Sequence, residues 1–87
     1  MNNFTFTEKG WEHYLYWQTQ DRKTLKKINS LIEDIRQNGA MQGTGKPEIL
    51  KYRSGYSRRI DEANRLVYDI DEHQNICIIS CKGHYED

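Results

Sequence analysis

The chain has 87 residues, of which 36% are hydrophobic and 30% charged, and its formal net charge at pH 7 is zero. A chain of this length is expected to form one domain, residues 1–87, around a single small core. Its longest apolar run is four residues, far short of the roughly 20 that span a bilayer, and the Asn-rich start lacks the regions of a signal peptide. We therefore expect a cytoplasmic protein without a membrane partner.

The N-terminal half predicts a short strand followed by two helices. Residues 4–6 alternate with polar neighbours like an opening strand, and Thr7 is suited to cap a helix that ends near Gln20. Asp21 is suited to cap a second helix, whose apolar residues recur at three- and four-residue spacing. These apolar residues are Leu25, Ile28, Leu31, Ile32 and Ile35. Residues 39–47, with three glycines and the only proline, predict a loop.

Beyond Pro47 the hydrophobic period changes from 3.6 to about 2, which predicts four strands. The predicted strands are 49–53, 57–61, 66–71 and 76–82. Their connections are too short for parallel crossovers, so the strands should be antiparallel neighbours. The predicted fold class is α+β, in the order β-α-α-β-β-β-β. Two N-terminal helices pack on one face of a mostly antiparallel sheet, and the opposite face is open.

The charges are segregated along the chain, although they sum to zero. Residues 22–59 contain ten basic residues and three acidic ones. A polyanion responds to the local field rather than to the net charge, so this basic middle could face RNA phosphates. The alternative is an ordinary solvated helix face with scattered strand charges, and composition leaves the two open.

The strand-rich half contains the three kinds of side chain that cut RNA through its own 2′-hydroxyl: a base, an acid and a cation that stabilises the extra charge. They are Glu48 before a strand, Arg58, Arg59 and Arg65 on middle strands, and His84 with Tyr85 after the last strand. Each has an ordinary alternative. Glu48 and His84 could be solvated surface residues. Arg59 and Arg65 could pair with Asp61, Glu62 or Asp69.

The two cysteines predict neither a disulfide nor a metal site. Cys77 and Cys81 lie in one predicted strand, which puts their Cα atoms roughly 13 Å apart, too far for a bridge. Their spacing with His84 is not that of a usual structural zinc site. We expect two buried, small apolar residues, and we expect no metal and no other cofactor.

Three blocks of sequence resemble the YoeB branch of the RelE toxins, in order and over nearly the whole chain. They are G-K-P-E-I-L-K at 45–51, S-R-R-I-D-E-A-N-R-L-V-Y at 57–68 and the pair His84-Tyr85. The helical stretch 13–36 extends the similarity. The resemblance implies a RelE-like, microbial ribonuclease-type fold. It also implies a ribosome-dependent endoribonuclease that inhibits translation without a metal.

The resemblance also implies a role for each matching residue. Glu48 would be the general base for the 2′-hydroxyl, His84 the general acid for the leaving 5′-oxygen, and Arg65 the group that holds the scissile phosphate. Tyr85 would pack against the substrate and orient the reacting groups. Further expected contacts are Lys51, Arg58 and Arg59 to the substrate and Lys23, Lys26 and Lys27 to ribosomal RNA. The products would be a 2′,3′-cyclic phosphate, or its opened 3′-phosphate, and a 5′-hydroxyl.

The partners implied by the resemblance are the 70S ribosome with messenger RNA in its A site, and a YefM-like antitoxin whose disordered C-terminal segment folds across the toxin. Toxin dimers are also implied, and the sequence does not decide whether they form. One departure from the family pattern is the pair Glu86-Asp87 after Tyr85. These two carboxylates are expected to repel phosphate and weaken activity.

Three other functions fit the same sequence. A ParE-like toxin on this scaffold would inhibit DNA gyrase by binding, but ParE toxins lack the Glu, His and Tyr set. An RNA-binding module would use its arginines and tyrosines without cutting. A ribosome-independent ribonuclease would share the chemistry and differ in how the substrate is presented.

Overall fold

The computed structural model describes residues 3–84, which form five strands and two helices. The elements are β1 (Phe4–Phe6), α1 (Glu8–Gln20), α2 (Arg22–Asn38), β2 (Glu48–Ile49), β3 (Tyr56–Arg59), β4 (Arg65–Ile70) and β5 (Ile76–Ser80). The predicted element order and both predicted helices are confirmed. The largest difference is β2, which ends at Ile49 rather than at residue 53. The chain turns there, because the amide of Leu50 bonds the carbonyl of Gly55.

Both helices begin at the predicted caps. The Thr7 side chain accepts a hydrogen bond from the amide of Gly10, and the Asp21 carboxylate accepts from the amides of Lys23 and Thr24. These bonds satisfy donors that the first turn of a helix leaves without partners. Gly10 also lets α1 approach β5 closely, since an added Cβ would collide with the carbonyl oxygen of Ile78.

The five strands form one mixed sheet in the order β1-β5-β4-β3-β2. The β1–β5 pair is parallel, and the β2–β3, β3–β4 and β4–β5 pairs are antiparallel. The predicted α+β class with a mostly antiparallel sheet is therefore confirmed. No helix within the described part of the chain is long and apolar enough to cross a membrane.

One face of the sheet carries the hydrophobic core and both helices. Alternate residues of β4 and β5 point toward α2, and Trp17 of α1 completes the same cluster. The buried members include Ile28, Leu31, Ile35, Leu66, Tyr68, Ile76 and Ile78. Burying such side chains stabilises the fold by about 1.5–3 kcal/mol each, before conformational entropy is counted.

The opposite face of the sheet is less open than predicted. The connection between β2 and β3 covers part of it. A Cβ added at Gly55 would meet the side chains of Leu50 at 3.2 Å and Ile79 at 3.9 Å, and the Ser54 hydroxyl donates to Asp69 at 3.0 Å. Val67 is fully buried on this face. The uncovered part is the region where β2, β3 and β4 begin or end, and the candidate site lies there.

Candidate active site

Glu48, Arg59 and Arg65 line one small cleft on the face of the sheet away from the helices. Lys46 and Ser57 complete its lining, and its volume is about 80 Å³. Strand register brings these residues together, since Glu48 pairs with Ser57 and Arg59 pairs with Arg65. Residues two apart on a strand share a face, so these side chains converge although they are distant in sequence.

Arg59 and Arg65 place two positive charges directly opposite each other across β3 and β4. Within residues 3–84 neither guanidinium forms an ion pair with a carboxylate. The Nη1 of Arg65 donates to the carbonyls of Asp61 at 2.6 Å and Asn64 at 3.1 Å. The alternative in which these arginines pair with nearby acidic residues is therefore not found in this part of the chain. Opposed like charges favour a bound anion.

The turn between β3 and β4 uses its own acidic residue to hold its shape. The Asp61 carboxylate accepts from the amides of Ala63 and Asn64, both at 2.8 Å. Its backbone carbonyl is thereby oriented toward Arg65. The local sequence D-E-A-N-R thus supplies both the turn and the arginine that the turn positions.

His84 lies beside Arg65, against the same turn. Its Nε2 is 2.7 Å from the carbonyl oxygen of Glu62, to which Nη1 of Arg65 also points at 3.5 Å. A carbonyl only accepts, so Nε2 must carry a proton. The preceding residue is also fixed, because the Gly83 amide donates to Asn64 at 2.8 Å and the Gly83 carbonyl accepts from the Arg65 amide at 3.0 Å.

The other predicted site residues are distributed around this cleft. Lys51 is exposed in the connection between β2 and β3, and Lys23, Lys26 and Lys27 are exposed on α2. Lys23 and Lys27 line a second cavity of about 340 Å³ together with Asp61, so the basic face of α2 borders the turn that holds Arg65. Tyr85, Glu86 and Asp87 lie outside the described residues.

Arg58 does not line the cleft and is fully buried, so its prediction as a substrate contact is wrong. Strand alternation turns its side chain toward the helices, where it is fully buried. Its guanidinium pairs with Asp34 at 3.0 Å and donates to the Tyr68 hydroxyl at 2.9 Å. It also donates to four carbonyls of the loop after α2, those of Gly39, Ala40, Gln42 and Thr44. All its donor directions are used inside the protein.

Asp34 is a structural residue of the site that the sequence did not reveal. Its carboxylate accepts from the amide and hydroxyl of Thr44 at 2.6 and 2.9 Å. The amide of Thr44, the side chains of Asn38 and Thr44, and the charge of Arg58 lower the pKa of Asp34 to about 2. The sequence S-R-R-I contained one signal for such a residue. Side chains alternate along a strand, so one of the two adjacent arginines must face the helices, where a buried arginine needs an acidic partner.

The Asp34–Arg58 pair shapes the loop that leads to Glu48. Beyond Thr44, the Gly45 carbonyl accepts from the amide of Arg59 on β3. Gly45 has a φ of 85°, which glycine adopts without strain, and a Cβ added there would lie only 3.0 Å from the Leu31 side chain and 3.2 Å from the Arg59 carbonyl oxygen. Residues 45–48 are thereby held along β3, and this places Glu48 in the cleft.

The cysteines occupy ordinary structural positions. Cys81 is fully buried, and burial raises the pKa of its thiol to about 12. Cys77 is half-buried, and both are free thiols. Among the residues the structure describes, no group of three or more His, Cys, Asp or Glu side chains is placed to hold a metal ion.

The sheet order, the two helices on one face and the arginine cleft define an α+β protein with the RelE-like toxin fold. Residues 6–85 match the family described as YoeB-like toxin of bacterial type II toxin–antitoxin system. The chain belongs to this family, which confirms the resemblance seen in its sequence.

Three relatives illustrate how complete the match is. Toxin YoeB of Escherichia coli K12 is 46% identical over 82 residues, covering 92% of this chain and 95% of that protein. The structure of a YoeB dimer from Staphylococcus aureus has a TM-score of 0.89 and 49% identity, covering 97% of this chain and 98% of that one. A heterotetrameric YoeB–YefM complex from the same organism has a TM-score of 0.89 and 48% identity, covering 98% and 99%.

Proposed function

We propose that this chain is a ribosome-dependent endoribonuclease, which cuts messenger RNA in the ribosomal A site and so inhibits translation in the cytoplasm. The observation that carries the proposal is the convergence of Glu48, Arg59 and Arg65 on one cleft, with His84 held beside Arg65 through the carbonyl of Glu62. This transesterification requires a base, an acid and a cation, and the residues near the cleft include a carboxylate, an imidazole and two guanidinium groups.

In the proposed reaction Glu48 removes the proton of the 2′-hydroxyl. The 2′-oxygen attacks the adjacent phosphorus, and the bond from phosphorus to the 5′-oxygen breaks. Arg65 binds the non-bridging oxygens and stabilises the charge that develops on them, and Arg59 adds a second positive charge. The products are a 2′,3′-cyclic phosphate and a 5′-hydroxyl.

His84 is the proposed general acid for the leaving 5′-oxygen. Its Nε2 proton is engaged by Glu62, so Nδ1 of the imidazolium is the nitrogen able to deliver a proton while that bond persists. The Glu62 carbonyl would then orient the ring as a fixed backbone acceptor. Tyr85 follows directly in sequence, and we propose that it packs against the substrate and orients the reacting groups.

The position of the basic helix supports a ribosomal substrate. Lys23 and Lys27 border the cavity next to Asp61, and Lys26 is exposed on the same helix. Positive charge therefore extends from the cleft along α2, as expected for a protein that binds structured RNA around a cleaved strand. Lys51, exposed near β2, is a further proposed substrate contact.

The proposed partner outside the ribosome is a YefM-like antitoxin, because the related S. aureus toxin forms a heterotetramer with YefM. A homodimer is proposed on the same basis, since that toxin also has a dimeric structure. We propose both assemblies for this chain because it is 48–49% identical in sequence to the S. aureus toxin.

The proposal is tested with purified protein and ribosomes programmed with a defined messenger, with the same RNA free in solution as the parallel sample. We expect cleavage in the A site on ribosomes and much slower cleavage of free RNA. Binding without cleavage would instead indicate an RNA-binding module. Intact messenger together with gyrase-linked DNA damage in cells would indicate a ParE-like inhibitor.

A further inference from the structure

The backbone of Cys81 is held by side chains of α1, immediately after the sheet ends. Strand β5 stops at Ser80. The amide of Cys81 donates to Nδ1 of His13 at 3.1 Å, and its carbonyl accepts from Nε1 of Trp17 at 2.8 Å. Both polar groups of this peptide unit therefore find partners on a helix far away in sequence.

These contacts belong to a longer stripe along one face of α1. The Thr7 hydroxyl donates to the carbonyl of Ile79 at 2.8 Å, and the thiol of Cys81 lies 4.0 Å from the carbonyl of Gly10. Positions 7, 10, 13 and 17 recur at the spacing that places residues on one helix face. Helix α1 and its cap thus contact the backbone of residues 79 and 81 through side chains on one face.

The hydrogen-bonded peptide unit of Cys81 helps to determine the position of His84. Gly83 is held by Asn64 and by the amide of Arg65, so Lys82 alone separates the anchor at Cys81 from the anchor at the turn. A displacement at Cys81 would be transmitted through two residues to the imidazole of His84. The position of the proposed acid therefore depends on α1 as well as on the cleft.

We infer that His13 is a positioning residue for His84. Its neutral imidazole accepts a hydrogen bond from the amide of Cys81, and Trp17 donates one to the carbonyl of Cys81. Together the two bonds fix the backbone that presents His84 to the cleft. The inference rests on the proposed function, in which His84 is the general acid. It assigns a role in catalysis to a residue that lies outside the cleft and touches no substrate.

The protonation state of His13 is set by its surroundings. A backbone amide only donates, so Nδ1 must be unprotonated to accept from it. Burial, followed by the positive charges of Lys9 and Lys82, lowers the pKa of His13, and Glu12 opposes them. The nearby Cys81 thiol adds no charge, since burial raises its pKa from the ordinary value of 9.0 to about 12.

The sign of the pH effect follows from this arrangement. Above its lowered pKa His13 is neutral and holds the amide of Cys81. As the pH falls through that pKa, Nδ1 gains a proton, and two donors then face each other. The segment that presents His84 should loosen, so the cleavage step should slow toward low pH for a reason separate from His84 itself.

Three variants separate this role from general loss of structure. His13→Ala removes the acceptor, while His13→Asn restores one, because the Asn Oδ1 occupies a position close to that of Nδ1 and does not titrate. His73→Ala is the matched control, since His73 is an exposed histidine on the turn between β4 and β5, where the imidazole contacts Glu72. Single-turnover cleavage on programmed ribosomes gives the rate at saturation and the half-saturating concentration, each across the pH range.

We expect His13→Ala to lower the saturating rate about tenfold with little change in half-saturation, as misplacement of a reacting group does. His13→Asn should remain within about twofold of the parent rate and lose the decline toward low pH that arises from His13. His73→Ala should match the parent. An unchanged rate in His13→Ala, or equal losses in His13→Ala and His13→Asn, would overturn the inference.

A second readout does not depend on cleavage. Amide hydrogen exchange at residues 81, 83 and 84 should accelerate in His13→Ala and return toward the parent in His13→Asn. If the parent protein does not cut RNA, the proposed function fails. Hydrogen exchange would still show whether the contact of His13 with Cys81 orders this segment. Unchanged exchange at Gly83 and His84 in His13→Ala would overturn the positioning role.

Discussion

Arg59 and Arg65 face each other across β3 and β4, and within the described residues neither side chain has an acidic partner. Opposed like charges weaken a sheet, and an anion bound between them would offset that cost, as the proposed phosphate contact requires. This relationship links the fold to the proposed chemistry, because the same strand register that opposes the two arginines also brings Glu48 into the cleft.

The first prediction concerns the two arginines. Arg65→Ala should slow single-turnover cleavage at least about 100-fold, as loss of a group that stabilises developing charge does. Arg59→Ala should mainly weaken RNA binding and reduce the slope of log affinity against log salt by about one. Arg36→Ala is the control, since Arg36 already pairs with Glu33 on α2. Equal, small effects in all three variants would contradict the assignment.

The second prediction concerns the acid and the base. Glu48→Gln and His84→Ala should each slow the cleavage step by about 100-fold or more while ribosome binding changes little. Glu72→Gln and His73→Ala are matched controls on an exposed turn, with side chains 86% and 77% accessible. Rates equal to those of the controls would remove Glu48 and His84 from the mechanism.

The third prediction separates stability from activity at two neighbouring arginines. Arg58→Ala leaves Asp34 without its cation and the loop carbonyls without donors, so unfolding free energy should fall by about 3 kcal/mol. Arg59→Ala, one residue along the strand and exposed, should leave stability nearly unchanged. Denaturant unfolding of both variants measures the difference. Similar stabilities would mean that the buried contacts of Arg58 do not stabilise the fold.

The fourth prediction is a pH dependence of stability. The pKa of Asp34 is lowered to about 2 from an ordinary value of 3.8, so the native state holds this carboxylate ionised more strongly than the unfolded chain does. Its contribution is present above pH 4 and is lost as the pH falls toward about 2. Asp34→Asn should flatten the stability curve in that range. A curve parallel to the parent's would contradict the linkage.

The sequence predicted the periodic elements well, for a physical reason. Helix α2 repeats apolar residues at helical spacing and has Asp21 as its cap, and the same features appear in the structure. Strand β2 was predicted too long. The alternating pattern continues in the sequence beyond Ile49, but a turn closed by the Leu50–Gly55 hydrogen bond ends the strand there. Local patterns specify elements, whereas tertiary contacts decide where they end.

The candidate site was predicted in part. Glu48, Arg59 and Arg65 were selected by residue type and resemblance, and the structure brings them to one cleft. Arg58 was misassigned because adjacent strand residues face opposite sides, and its acidic partner is 24 positions away on a helix. His13 carried no signal at all, since its partner is a backbone amide 68 positions away. Contacts of this range follow from topology rather than from any local pattern.

Attack by the 2′-hydroxyl is tested most directly by a messenger that carries one 2′-deoxynucleotide on the 5′ side of the cleaved bond. That bond is first mapped with all-ribose RNA on programmed ribosomes. If Glu48 activates the 2′-hydroxyl, the deoxy substitution should abolish cleavage at that bond, and the all-ribose control should give a 2′,3′-cyclic phosphate and a 5′-hydroxyl. Continued cleavage of the deoxy messenger, with a 5′-phosphate on the downstream product, would contradict it.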